Sequence, residues 1–410
     1  MISVQSAQQR ILSHFQPLET SLVPLDGALG RILTQPVISG IHFPLFDNSS
    51  VDGFAVRMED VRTATSAHPV TLDVVADIPA GQMPEKVIST GQAARIMTGA
   101  PVPGGADAVI MVEDTDCHDR KIDSHLPEKV HIYRPANSGE NIRRSGTDIQ
   151  PGQAILPNGT LLRPQDIGIL ALLGIASVPV RRKPRVAIIS SGDELVSAGM
   201  PLLPGKIYDS NGPMLAALIQ KAECEVISLG VVPDRQEAVQ EIFARAAQTR
   251  PDVIISSAGV GAGAFDYIKS VVESSGSLNF WKVNMRPGKP LAFGIYRDIP
   301  FFGLPGNPVS SYVSFLVFVQ PALERMSGIA LKTKISIRAS LVEPIESDGR
   351  ESYLRAIVQL RNGKYQAMLT GHQGSGNLFS TVQANALLVI PAGVTTCPAG
   401  AEFEAWLFEP

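Results

Sequence analysis

The sequence contains few cysteines and lacks a long apolar run. Its 410 residues include three cysteines, Cys117, Cys224 and Cys397. An odd number of widely spaced cysteines disfavours a disulfide framework or a cysteine zinc site and is typical of a reducing compartment. The string MISVQSAQQRILSHF lacks a signal-peptide pattern, and the most apolar window, IGILALLGIASVPV, is too short to span a bilayer. We therefore expect a cytoplasmic protein that does not enter a membrane.

A strong excess of either charge is also lacking. The formal net charge is -4, so no broad field attracts the protein to nucleic acid or anionic lipid. Any bound anion must be held by a local cluster of Lys and Arg. None of the His residues shows metal-ligand spacing, and no Ser-His-Asp arrangement can be read from the sequence. A hydrophobic content of 44% predicts a folded chain, and its length suggests roughly two to four domains.

The texture of the chain changes along its length. Residues 1–45 carry a short helical pattern over Val4–Leu12 and a second helix-like string, GALGRIL. Residues 46–149 are rich in Gly, Pro and β-branched residues, and the strings VTLDVVADI, AARIMTG, DAVIMVED and KVHIYR predict a small β domain. Residues 150–180 return to turns and one helix, PQDIGILALLGI, and residues 329–410 are again β-rich.

Residues 181–328 alternate between strand and helix patterns. RVAIIS, CEVISLGVV and DVIISS read as buried strands, with NGPMLAALIQKA and DRQEAVQEIFARAAQ as the helices between them. Asp234 and Glu237 fit a capping-box-like start of the second helix. This alternation predicts a parallel sheet wrapped by helices.

The loop SSAGVGAGAFD follows the third of these strands. Its Gly259, Gly261 and Gly263 allow three interpretations: a dinucleotide site, tight packing on a helix, or a cradle of backbone amides for an anion. A dinucleotide site needs G-x-G-x-x-G after the first strand and an acidic residue about 20 positions later, which this sequence lacks. The anion cradle is therefore favoured.

A second loop, GLPGNPVSS, supports the same interpretation. Gly303 and Gly306 free the backbone, while Asn307, Ser310 and Ser311 offer hydrogen-bond donors where a long helix is predicted to begin. Three cations lie close by in FWKVNMRPGKPLAFG, namely Lys282, Arg286 and Lys289. They form either a solvated face or a convergent anion site.

Carboxylates also follow the predicted strands. Asp193 and Glu194 end the first strand, and Asp209 and Asp234 lie at later strand ends or helix starts. Such residues are routine helix caps, but carboxylates that face phosphate-binding loops can also hold Mg²⁺. In the predicted β domain, the strings FDNSSVDGFAVR, IMTGAPVPGGADAVIMVE and NIRRSGTDI are too specific for spacers.

Taken together, these strings resemble the molybdenum-cofactor biosynthesis family that includes MoeA and the E domain of gephyrin. The matching strings occur in family order and cover nearly the whole chain: FDNSSVDGFAVR, RIMTGAPVPGGADAVIM, GENIRRSGTDI, SSGDEL, YDSN, RPGKPLAFG, GLPGNPVS and TGHQGSG. The resemblance implies insertion of molybdate into adenylylated molybdopterin with release of AMP, and Mg²⁺ as the metal. The adenylyltransferase of the same pathway, a possible docking partner, and a non-catalytic scaffold are the alternative functions.

The resemblance also implies an elongated, four-domain subunit and a homodimer whose cleft is shared between subunits. Its domains would be a discontinuous linker domain (1–45 and 150–180), a β-rich inserted domain (46–149), an α/β molybdopterin-binding domain (181–328) and a C-terminal β-barrel-like domain (329–410). Matching motifs imply cleft roles for Asp52, Thr98, Arg143, Asp148, Glu194, Asp234, Asp266, Lys282, Arg286, Arg355 and Ser375. The loops and the YDSN string add substrate-binding candidates at Asp209, Asn211, Gly259, Gly261, Gly263, Lys289, Pro305, Gly306, Asn307 and Ser310.

The metal candidates that the resemblance implies are Glu194, Asp234 and Asp266.

The chain departs from the family pattern at two places. The family loop usually carries Gly-Gly and then a Ser one residue on, whereas this chain reads Ala258, Gly259, Val260, Gly261. A hydroxyl is missing where the pterin phosphate is expected, so we expect altered affinity. Arg286 stands where Lys is frequent, which keeps the charge and permits bidentate contact with an oxyanion.

Overall fold

The computed structural model describes residues 1–118, 125–257, 264–329 and 335–408, without the side chains of residues 264–266 and 281. The chain divides into two compact units. The first unit comprises Met1–Gln35, Asn158–Gly168 and Ala176–Pro410, and the second comprises Pro36–Pro157 and Ile169–Ile175. The finer division into four domains stays a prediction.

The centre of the first unit is a six-stranded sheet. Its strands lie in the order Glu225–Val232, Arg185–Ser191, Val253–Ser257, Ile299–Leu304, Pro290–Tyr296 and Gly276–Lys282. The first four strands run parallel, and the last two are antiparallel to their neighbours. The predicted parallel sheet is confirmed, with an antiparallel edge.

Alternating apolar residues place a hydrophobic core on each face of this sheet. In the strand Arg185–Ser191, Val186 and Ile188 belong to one core, whereas Ala187 and Ile189 belong to the other. The helices Val4–Leu12 and Asn211–Lys221 contribute to the first core. The second core includes residues of the helices Gln236–Gln248 and Ala264–Ser275.

Two details of the predicted helices are wrong. The helix after the second strand begins at Gln236 with Arg235 as its N-cap and no side-chain cap, so Asp234 does not cap it. GALGRIL is not a helix, because Ile32 and Leu33 form bridges to Leu161 and Val180 instead.

The predicted long helix after the GLPGNPVSS loop consists of Pro308–Ser314, a π-helical turn Phe315–Val319 and Gln320–Met326.

The C-terminal region confirms the barrel-like domain. Its strands Ser336–Leu341, Glu351–Arg361, Lys364–Leu369, Ala386–Ile390 and Glu402–Leu407 close into a ring through their pairings. Met285–Arg286 adds to this sheet by pairing in parallel with Glu351–Arg361, in the register Arg286↔Ser352. Buried residues such as Leu354 and Leu388 fill the barrel core.

The second unit is β-rich, as predicted. Its main sheet has the order Ala108–Met111, Gly53–Val56, Gln92–Ile96, Val70–Ile78 and Lys129–Ile132. Short strand pairs and short helical pieces complete the two units: Asn48–Ser49 with Ile142–Arg143, Val37–Ile38 with Ala154–Leu156, Thr20–Pro24 with Ser177–Arg181, Leu195–Val196 with Ile207–Tyr208, Ile345–Glu346 with Thr396–Cys397, and the helical pieces Leu25–Gly27, Met58–Val61, Val112–Asp114, Pro164–Leu172 and Phe379–Gln383.

Within the described residues, no helix has both the length and the apolar character needed to cross a membrane. The three cysteines are buried, and none of them forms a disulfide within the described residues.

Candidate active site

A large polar cavity lies at the carboxyl ends of the parallel strands, where ligands of open α/β sheets bind. Its volume is about 1230 Å³. Ser191 ends one strand, Asp234 follows the next, and Pro305 follows a third. The cavity is lined by Ser191, Glu194, Leu195, Ile207, Tyr208, Asp209, Ser210, Asn211, Asp234, Arg286, Pro287, Gly288, Lys289, Pro290, Pro305, Gly306, Asn307, Pro308, Ser310, Arg350, Gln373, Gly374, Ser375, Gly376 and Leu378.

The cavity brings together eleven of the residues selected from the sequence: Glu194, Asp209, Asn211, Asp234, Arg286, Lys289, Pro305, Gly306, Asn307, Ser310 and Ser375. Lys282 is exposed at the end of its strand and is absent from the lining. Gly259, Gly261 and Gly263 lie outside the described residues, and so does the departure at Ala258. Asp266 stands in the first turn of Ala264–Ser275, with its side chain outside the description.

The acidic side of the cavity is organised around Asp234. The Ser191 hydroxyl donates a hydrogen bond to Asp234 Oδ1, and the Asp234 backbone amide donates to Asp193 Oδ1 at 3.1 Å. Burial is the main reason that the pKa of Asp234 is raised, and the charges of Asp193 and Glu194 add to it, while the bond from Ser191 opposes it. A cation bound here would offset the repulsion between these carboxylates.

Carboxylate oxygens are ligands that suit Mg²⁺ better than a transition metal. No group of three His, Cys, Asp or Glu side chains that could hold a metal occurs within the described ranges. Glu194 and Asp234 therefore offer two carboxylates at the cavity, and the third candidate is Asp266. Mg²⁺ commonly binds one or two carboxylates together with substrate phosphates, so the residues present are compatible with it.

Asn211 connects the start of the helix Asn211–Lys221 to the GLPGNPVSS loop. Its Nδ2 donates to the Gly306 carbonyl oxygen at 2.7 Å, and its side chain is only 6% exposed. Beside it, Asp209 Oδ1 accepts a hydrogen bond from the Gly212 amide at 2.9 Å. The loop is also tied to the C-terminal region, because Asn307 Nδ2 donates to Ser375 Oγ at 3.0 Å.

The cavity is also lined by cations. Arg286, Lys289 and Arg350 line it, and Arg350 was not among the residues predicted from the sequence. The string GRESYLRA contains Arg350 as well as Arg355, but nothing local distinguishes it from a solvated arginine. Asp348 holds Arg350 as an ion pair, and that interaction is the main reason that the pKa of Asp348 is lowered.

Arg355 is fully buried and does not line the cavity. Its Nε donates to Ser380 Oγ at 3.0 Å and its Nη2 to the Gly374 carbonyl at 3.1 Å, so it fixes a loop that lines the cavity. Its Nη1 has no hydrogen-bond partner within the part of the chain that the structure describes. Burial, and then the charge of Arg286, lower its pKa to about 10.

The remaining candidates belong to the second unit. Asp52 Oδ1 accepts hydrogen bonds from both the amide and the hydroxyl of Thr98, each at 2.7 Å. Arg143 pairs with Asp148, and Thr98 and Arg143 line a separate cavity of about 390 Å³. All four side chains belong to exposed residues.

Comparison with known proteins matches three successive segments of the chain to family descriptions. Residues 2–174 match the family described as MoeA N-terminal region (domain I and II), residues 187–325 match a probable molybdopterin binding domain, and residues 338–408 match the MoeA C-terminal region (domain IV).

Individual relatives extend this similarity over most of the chain. A Nostoc protein named molybdopterin molybdenumtransferase is 40% identical over 93% of this chain and 87% of its own. A Mycobacterium tuberculosis protein named molybdopterin molybdenumtransferase 2 is 38% identical over 99% of both chains. A crystal structure of a molybdopterin biosynthesis MoeA protein from Pyrococcus horikoshii superposes with a TM-score of 0.80 at 34% identity and covers 100% of both chains.

Proposed function

Since this chain belongs to the MoeA family of molybdopterin molybdenumtransferases, we propose that it inserts molybdate into adenylylated molybdopterin, with release of AMP. The observation that carries the proposal is a cavity lined by both cations and carboxylates. Molybdate is a tetrahedral dianion and the pterin substrate carries phosphates, so both need local cations in a protein of slightly negative net charge.

Arg286, Arg350 and Lys289 are proposed to hold the oxyanions, with Arg355 and Ser375 supporting the molybdate end. Lys282 remains a candidate for the same role, although it is not part of the lining. Asn211, Asp209 and the Pro305–Ser310 loop are proposed to bind and orient the pterin phosphate. These contacts would place the dithiolene sulfurs against molybdate, so that two displaced oxygens take up the thiol protons and leave as hydroxide. One water is consumed when the adenylyl phosphoanhydride is hydrolysed and AMP is released.

Glu194 and Asp234, with Asp266, are the residues proposed to hold Mg²⁺. The metal would offset the charge of the pyrophosphate whose bond is cleaved. Ser191 keeps the Asp234 carboxylate oriented through its hydrogen bond. The cations of the cavity are thus proposed to bind the anions, and its carboxylates to bind the metal.

The remaining proposals concern assembly. Asp52, Thr98, Arg143 and Asp148 are proposed to complete the cleft of a partner subunit in a homodimer. Docking of the preceding adenylyltransferase is a further proposal from the resemblance. A purely scaffolding role is disfavoured because the acidic and cationic residues of the cavity are retained.

The test follows AMP release from adenylylated molybdopterin by the purified full chain, with Mg²⁺ and with or without molybdate. We expect AMP only when molybdate is present, and no requirement for ATP. Consumption of ATP would instead identify the adenylyltransferase, and tight substrate binding without AMP release would support the scaffold.

A further inference from the structure

Two arginines reach the cavity from distant parts of the chain. Arg286 ends the short strand Met285–Arg286, and Arg350 directly precedes the barrel strand Glu351–Arg361. The parallel pairing of these strands brings them together, and Arg350 Nη1 donates to the Met285 carbonyl at 3.2 Å. Both side chains line the cavity.

A single carboxylate oxygen serves both arginines. Asp348 Oδ2 accepts hydrogen bonds from Arg350 Nε at 3.0 Å and from its Nη2, and it forms an ion pair with Arg286 Nη1 at 3.9 Å. The Arg350 amide donates to the other oxygen, Oδ1, at 3.1 Å. Asp348 does not itself line the cavity, but it contacts two cations that do.

The two arginines differ in how many of their guanidinium donors already have a partner within the protein. Arg350 directs Nε and Nη2 to Asp348 and Nη1 to Met285. Arg286 makes no hydrogen bond through its guanidinium to any residue that the structure describes, and 3.9 Å is longer than a hydrogen bond. Arg286 therefore has donors available to a ligand, whereas Arg350 must first release Asp348.

The charges explain why a carboxylate is needed there. Arg286, Arg350 and the buried Arg355 bring three guanidinium groups close together, and like charges repel. A carboxylate offsets this repulsion when no ligand is bound. An entering dianion offers the arginines the same kind of partner, so it competes with Asp348 for them.

We infer that Asp348 is a positioning residue that holds Arg286 and Arg350 as a pair and competes with the substrate oxyanion for them, thereby setting how tightly the cavity binds molybdate. This inference rests on the proposed function. Binding then exchanges one anionic partner for another, and release of the product is aided by the return of Asp348.

The decisive variant is Asp348→Asn, which keeps the shape and an acceptor oxygen for Arg350 but removes the competing charge. We expect molybdate to bind at least about threefold more tightly, because it no longer competes with a carboxylate for the two guanidinium groups. A merely structural role could not produce this result, because damage to the site would only weaken binding.

The experiment measures the dissociation constant of molybdate alone, by titration calorimetry with the full chain at low ionic strength. Glu346→Gln is the matched control, because it removes one exposed negative charge two residues away that contacts neither arginine. We expect the control to bind as the wild type does, and Arg350→Gln to bind more weakly. Unchanged melting temperatures confirm that each variant is folded.

Two failures can be told apart. If the wild-type chain releases AMP in the presence of molybdate, but Asp348→Asn binds molybdate no more tightly than Glu346→Gln, this inference is overturned and the proposed function stands. If the wild-type chain neither binds molybdate nor releases AMP, the proposed function falls and takes the inference with it.

Discussion

The side-chain amide of Asn211 donates a hydrogen bond to the carbonyl oxygen of Gly306 at 2.7 Å. This contact joins the start of the helix Asn211–Lys221 to a loop that lies 95 residues further along the chain. Because the donor is nearly buried, its replacement has a cost that water cannot easily offset.

We expect Asn211→Asp to be more harmful than Asn211→Ala, although aspartate is closer in shape. A carboxylate cannot donate to the carbonyl and would place a charge in a buried position, at a cost of about 1–3 kcal/mol of unfolding free energy. Urea denaturation measures the stability, and the KM for adenylylated molybdopterin measures the effect on the loop. Equal stability of the aspartate variant and the wild type would contradict the role given to this bond.

Ser191→Ala is predicted to change the pH dependence of AMP release. The bond from Ser191 lowers the pKa of Asp234 against the larger effect of burial, so its removal raises that pKa further. If the ionised carboxylate is required, the acidic limb of the rate profile moves to higher pH, while the rate on the plateau is retained. Ser197→Ala, at an exposed position in the following loop, is the control.

The same shift has a consequence for stability. The folded pKa of Asp234 lies above its ordinary value of 3.8, so the folded chain favours the neutral form. That contribution is fully present below pH 3.8 and is lost as the pH rises through the folded pKa. In the pH–rate experiment, a uniform fall in rate at every pH for Ser191→Ala would argue against the effect of Ser191 on the pKa of Asp234.

Arg355→Lys is predicted to weaken both stability and molybdate binding. One ammonium group cannot reproduce the geometry in which Nε and Nη2 contact Ser380 and Gly374, and hydrogen bonds to charged groups contribute about 1.5–3 kcal/mol. Thermal denaturation and molybdate titration measure the two effects. Arg361→Lys, at the exposed end of the same strand, should leave both unchanged.

Mixing two inactive variants tests the proposed homodimer. Asp52→Asn and Asp234→Asn alter different units of the chain. In a two-fold dimer with shared clefts, random reassortment of subunits restores about a quarter of the sites. We therefore expect about a quarter of the wild-type rate of AMP release after co-expression. Absence of any recovery, with dimers confirmed by light scattering, would place both residues in the cleft of one chain.

Local patterns predicted the strand and helix alternation of residues 185–257, because apolar periodicity there agrees with the fold. They failed where one pattern suits two structures. Asp234 followed by Glu237 resembles a helix cap, yet the carboxylate accepts from Ser191 instead. The spacing in GALGRIL resembles a helix, but Ile32 and Leu33 pair with distant residues.

Non-local pairing explains what the sequence could not reveal about the site. Arg286 and Asp348 are 62 positions apart, and only the parallel register of Met285–Arg286 with Glu351–Arg361 brings them together. Residues at the ends of parallel strands could be predicted to converge, since their sheet edge is fixed by topology. The roles of Arg350 and Ser191 could not be predicted, because they depend on side-chain contacts between residues distant in sequence.

The strand Met285–Arg286 lies in the chain between two strands of the α/β sheet, Gly276–Lys282 and Pro290–Tyr296, but pairs with the barrel. Unfolding of the barrel would break this strand pair and release Arg286. The cations of the cavity therefore cannot keep their positions when the barrel unfolds. Heat should destroy molybdate affinity and the barrel's β-structure at one temperature. The barrel therefore cannot be exchanged independently of the anion site. Replacing it with the barrel of a relative would also replace the part of the anion site that the barrel contributes.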